Sequence, residues 1–124
     1  MNKKHITHGK LKVFMILFLA VILIVLVVVC AKKIKLSQNE KNIIGTWKNS
    51  NSENVITVQD SDTLILYKDI PEAGLYHGNA SYHFSYTDTI CVTQDDISAE
   101  FCVDIDENQL TIYFAGQVYL VLQK

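Results

Sequence analysis

An uninterrupted apolar run from Val13 to Ala31 constrains this chain more than any other feature. It contains no charge, no proline and no glycine, and lysines stand on both sides of it. At about 1.5 Å per residue it makes a helix of roughly 28 Å, the thickness of a bilayer's hydrocarbon core. The expectation is a membrane-spanning segment with a small domain beside it. Of the 124 residues, about 90 remain beyond the run and its basic flank, enough for one such domain.

Charge is divided by that run. Lys3, Lys4, Lys10 and Lys12 precede it with no acid among them, and Lys32, Lys33 and Lys35 follow it directly. From Leu36 onward, Lys41, Lys48, Lys68 and Lys124 stand against all thirteen acids, a balance of −9, and arginine is absent. An acidic domain without arginine is a poor partner for phosphate, so nucleic-acid binding is not expected. Anionic lipid would repel it as well, except at the juxtamembrane lysines. The heavier positive charge before the run predicts a cytoplasmic amino end and a C-terminal domain outside the cytoplasm, in a single-pass cell-membrane protein.

Residues 1–31 admit three readings. An uncleaved anchor is favoured, because the run is long and lacks an Ala-x-Ala-like site for simple signal cleavage. Cys30, closing Val27-Val28-Val29-Cys30, resembles the cysteine of a bacterial lipoprotein box and is a candidate for lipidation, although Val29 stands where that pattern places a small residue. Cys30 also serves as a small buried apolar group in the simplest reading. The organisation is then a basic cytoplasmic tail (1–12), an anchor or uncleaved signal (13–31), a juxtamembrane linker with a short helix (32–43) and a β-domain (44–124). Ser37-Gln38-Asn39-Glu40 fits a capping box that would open the short helix.

From Gly45 the apolar period becomes two. Ala80 to Tyr86 alternates aromatic and polar residues, Phe101, Val103 and Ile105 alternate with Glu100, Cys102 and Asp104, and Leu110, Ile112 and Phe114 alternate with Thr111 and Tyr113. Turn residues punctuate eight segments: 45–49, 53–60, 63–68, 79–86, 89–93, 98–105, 109–114 and 117–122. All connections but 69–78 are short, so sequential strands should pair antiparallel. The expected fold is all-β, an antiparallel up-and-down eight-stranded barrel, which removes the exposed edges of an open sheet.

Gly45-Thr46-Trp47, opening the first strand after a short helical turn, resembles the start of the lipocalin-like (calycin) barrels, and of small anchored bacterial envelope members in particular. The resemblance implies that Gly45 permits the tight entry and that Trp47 plugs the closed end. Family members stack an arginine from near the chain's end on that tryptophan. Here Gln123 and Lys124 are the residues available.

An eight-stranded barrel either fills with side chains or holds one small molecule. The inward set reads Trp47, Ile56, Val58, Leu64, Leu66, Tyr82, Phe84, Tyr86, Ile90, Val92, Phe101, Val103, Ile105, Leu110, Ile112, Phe114, Val118, Leu120 and Leu122. These are bulky groups, so a packed core is expected over a cup.

Candidate chemistry is sparse. Cys91 and Cys102 are expected on the outer face of adjacent strands, set opposite each other by a four-residue loop at Asp95 to Ser98. That placement predicts a disulfide worth roughly 3 kcal/mol or less. Asp104 to Asn108 starts like a calcium loop, but Gln109 and Ala115 occupy positions that need glycine and glutamate. His77 and His83, six residues apart on one strand face, lie roughly 20 Å from each other, too far for one metal. His5 and His8 fall on the other side of the membrane. No catalytic set, cofactor or metal site is expected. The 69–78 loop carries Ile70, Leu75 and Tyr76 in polar company, as a contact loop or as a cover for the barrel's open end. The function expected is a non-catalytic module contacting an envelope protein or wall component. A binder of a small apolar ligand inside the barrel is the alternative.

Overall fold

The computed structural model describes residues 2–124, with side chains described from Gly9 onward. His5, His8, Lys3 and Lys4 therefore lie outside the described side chains. The chain forms two compact units, Met1–Ile34 and Lys35–Lys124. Helix α1 (Asn2–Asn42) is unbroken, and its stretch from Gly9 is long and apolar enough to cross a membrane. Ser37 lies inside this helix instead of capping a new one. Residues 32–42 contain no glycine or proline, and their Lys, Leu, Gln and Glu residues sustain a helix already under way. The amide groups that a capping serine would satisfy are bonded to the preceding turn.

Eight strands follow: β1 (Gly45–Lys48), β2 (Asn54–Val58), β3 (Thr63–Leu66), β4 (Gly78–Tyr86), β5 (Thr89–Gln94), β6 (Ile97–Ile105), β7 (Gln109–Phe114) and β8 (Gln117–Gln123). Each pairs antiparallel with the next, and Lys48↔Gln123 closes β8 on β1, giving an up-and-down closed barrel. Trp47, Leu64, Leu66, Ile90, Val92, Phe101, Val103, Leu110 and Leu122 are buried, as strict alternation requires.

Three β-bulges break that alternation, and each re-aims side chains. In β2 the register passes from Trp47↔Ile56 to Lys48↔Asn54, so Val55 is an extra residue and joins Ile56 in the core. In β4 it passes from Phe84↔Ile90 to Tyr86↔Thr89, which makes Ser85 the extra residue and turns Tyr86 outward, 70% exposed. In β8 it passes from Ile112↔Leu120 to Tyr113↔Val118. Tyr119 then packs against the core while Val118 faces out, 59% exposed. The inward placement of Tyr86 and Val118 is thus corrected.

The Cys91–Cys102 pairing is corrected too. The β5–β6 loop has two residues, Asp95 and Asp96, with Gln94 opposite Ile97. Asp95 adopts the left-handed φ of 54° that closes so tight a hairpin. The register therefore sets Cys91 opposite Glu100 and Cys102 opposite Thr89. The two thiols are diagonal neighbours, a relation that sets residues about 7–8 Å apart, beyond the reach of a disulfide. Cys30, Cys91 and Cys102 are all free. Replacing Cys91 or Cys102 by serine is accordingly expected to cost under about 0.5 kcal/mol. Thermal melts with and without reductant should coincide, and a fall of several degrees under reductant would contradict this register.

Candidate functional site

The closed end of the barrel is built by the turn from α1 into β1. Trp47 is fully buried, and its indole N–H donates to the Ile43 carbonyl at 2.8 Å. Lys124 Nζ lies 5.1 Å from the centre of the Trp47 ring and donates to the Asn42 carbonyl at 3.0 Å. It thereby covers the tryptophan and caps the carboxyl end of α1. Gly45 sits at φ +138°, and a Cβ there would come within 2.9 Å of Lys124 Cε. Glycine is thus favoured by backbone geometry, while the close lysine carbon is the far end of a flexible side chain that can shift. Asn39, 2% exposed, fastens the end of α1 to the β4–β5 turn by donating to the Thr87 carbonyl at 2.7 Å.

The opposite end is closed by the 69–78 loop. Pro71–Ala73 forms a 3-10 turn that ends at Gly74 in the left-handed region, and Ile70 bridges to Leu75. Ile70 and Leu75 are buried, Leu75 completely, while Tyr76 is 56% exposed. Of the two readings of this loop, Ile70 and Leu75 take the covering one and plug the barrel, and Tyr76 alone of the three apolar residues faces out. The Gln94 side chain straps it, accepting from the Tyr76 N–H at 2.8 Å and donating to the Tyr76 carbonyl at 2.7 Å. The Tyr119 hydroxyl donates to Glu72 at 2.7 Å, and the His77 N–H donates to Asp69 at 2.9 Å, with His77 Nδ1 2.7 Å from the same oxygen.

These straps are sensitive to pH. The backbone N–H of His77, then its ring, hold the Asp69 carboxyl below its usual range. The Tyr119 hydroxyl does the same for Glu72, which in turn pushes Tyr119 above the ordinary tyrosine value. A depressed carboxyl stabilises the fold above its unfolded pKa, and that stability is lost as pH falls through the folded value. A raised tyrosine contributes below its unfolded pKa and loses that contribution as pH rises through the folded value. Amide exchange at Leu75 to His77, corrected for intrinsic rates, should be slowest near neutrality and rise below about pH 4 and above about pH 10. Equal protection at pH 6 and pH 3 would exclude the carboxylates as straps. Asp69 and Glu72 are solvent-exposed and Tyr119 is half-buried, so the effect stays local and small.

Between the two ends the core leaves an apolar void of about 20 Å³, lined by Val58, Leu66, Leu75, Phe101, Ile112 and Leu120 among others. That is room for about one water and offers it no polar partner. Outside the core, a groove of about 470 Å³ runs between the end of α1 and strand β4, lined by Glu40, Lys41, Asp60, Asp62, His83 and Phe84. Burial, then Asp62, Glu40 and Asp60, hold the Tyr82 hydroxyl above its usual value. The groove was not legible in the sequence, because packing of the helix end against the β2–β3 turn creates it. Among the described residues, no three His, Cys, Asp or Glu side chains are grouped to hold a metal ion. Asp106 and Glu107 make an ordinary hairpin turn, with the Glu107 N–H on the Asp106 carboxylate at 2.8 Å.

No protein-family model matches the chain, nor does any curated protein or solved structure.

Proposed function

We propose that this chain is a membrane-anchored, lipocalin-like envelope module. In this reading α1 crosses the membrane with its amino end in the cytoplasm. The barrel stands outside and contacts another envelope protein or wall component without catalysing a reaction. The observation that carries the reading is the filled interior: about 20 Å³ remains under a plug made by Ile70 and Leu75. A drug-sized ligand needs about 300 Å³ or more, so recognition is left to the outer surface. The lipocalin-like assignment rests on Gly45-Thr46-Trp47 at the barrel entry, with Lys124 over the indole where the family places arginine. Cys30, exposed on α1, remains the residue that lipidation would use.

Native mass spectrometry of the full chain, released from detergent, tests the reading. A bare mass is expected. A mass excess that vanishes on denaturation would replace it with the binder of a small apolar ligand, and a chain truncated to start at a modified Cys30 would replace the anchor with a lipoprotein. The topology is tested at the exposed Cys102, with Cys30 and Cys91 changed to serine. A membrane-impermeant maleimide should label it in intact cells. Labelling only after permeabilisation would place the barrel in the cytoplasm.

A further inference from the structure

Strand β8 has an edge that the barrel leaves unpaired. On one side it is laddered to β7 over six residue pairs, from Gln109↔Gln123 to Phe114↔Gln117. On the other, the ladder to β1 consists of the single pair Lys48↔Gln123. The chain leaves the sheet at Asn49, whose N–H donates to the Glu53 carbonyl and whose side chain accepts from the N–H groups of Asn51 and Glu53. From Gln117 to Leu122, the β1-facing backbone therefore makes no hydrogen bond to another part of the described chain.

A row of free N–H and C=O groups fits an extended strand. Proteins commonly guard such edges with charge or proline. This one has neither: residues 108–123 contain no charged residue and no proline. Val118 and Val121 stand 59% and 48% exposed along it. The surroundings are acidic on balance, with Lys48 of β1 opposite Gln123 and Lys124 directly after it as the cations at this edge. Residues 69–123 hold nine acids and no lysine or arginine. Glu72 is bonded to Tyr119 of β8. Asp106 and Glu107 lie at the other end of the strand, beside the bond from the Lys124 N–H to the Asn108 carbonyl. A second copy would bring the same net charge against this wall, whereas a cationic segment would be drawn to it.

We propose that the β8 edge docks an extended segment of a partner protein, apolar at alternate positions and bearing lysine or arginine at its ends, which adds as a further strand. This rests on the reading above and specifies its surface. The test uses the full chain in detergent and a synthetic peptide of alternating valine and threonine with lysines at both ends. Hydrogen exchange should slow at β8 amides on addition of the peptide and stay unchanged in β4 and β5. Lysines at Val118 and Val121 (V118K/V121K) should weaken binding by about tenfold or more, as lysine blunts an edge. Ser81→Lys, on the exposed outer face of β4, should change nothing, and N-methylation of alternate peptide bonds should abolish protection.

Equal binding of a peptide with glutamates at its ends would overturn the proposal, as would protection elsewhere or β8 amides already protected in the free protein. A concentration-dependent dimer dissolved by V118K/V121K would give the edge to a second copy. A bare native mass without peptide protection at β8 removes this site and leaves the proposed function standing. A co-purified apolar ligand removes the function itself.

Discussion

Trp47→Ala is expected to cost about 3–5 kcal/mol, the range for removing a large buried aromatic. Small domains are stable by only about 5–15 kcal/mol in total, so the variant should be close to unfolded at physiological temperature. Two losses combine. The indole fills the closed end at 0% exposure, and its N–H satisfies the Ile43 carbonyl at the junction of α1 and β1. Lys124 would lose the ring it covers while keeping its bond to the Asn42 carbonyl. Trp47→Phe separates the contributions, since it keeps much of the apolar volume and leaves the carbonyl unpaired, for about 1–3 kcal/mol. Urea unfolding followed by far-ultraviolet circular dichroism measures both, because the chain has no second tryptophan to report fluorescence. A loss under about 1 kcal/mol for the alanine variant would mean that the closed end can collapse around the gap.

Leu75→Ala is the second large effect, about 2–5 kcal/mol. Leu75 lies in a loop yet is completely buried, and it lines the interior void. Truncation should enlarge that void and leave the plug held by Ile70 and by the bonds of Gln94, Glu72 and Asp69. Tyr76→Ala, one residue away and 56% exposed, should stay within about 0.5 kcal/mol. That contrast identifies the plug, because a contact loop would show similar small costs at both positions. Chemical unfolding of the two variants side by side decides it. The enlarged apolar void should also admit benzene, as dry cavities of about 150 Å³ do. A Leu75→Ala protein as stable as its parent would show that the loop does not seal the barrel.

Strand order and the inward set at Leu64, Leu66, Val103, Leu110 and Leu122 were legible because side chains in a strand alternate with period two. A bulge leaves no such trace. Nothing in the local composition marks Val55, Ser85 or Tyr119 as an extra residue, and each moves its neighbours to the other face. The disulfide expectation failed by two residues of register. A shift of two preserves which face a side chain occupies, so Cys91 and Cys102 stayed outward while their partners changed.

The sequence by itself determined the apolar helix and the antiparallel β-meander. These depend on local periodicity, charge and conformational freedom, which each segment carries with it. Only the tertiary structure decided that Lys124 covers Trp47, that Asn39 ties the end of α1 to the β4–β5 turn, and that β8 keeps a free edge. Those outcomes depend on which distant groups meet once the barrel closes, and no stretch of sequence holds both partners of such a contact.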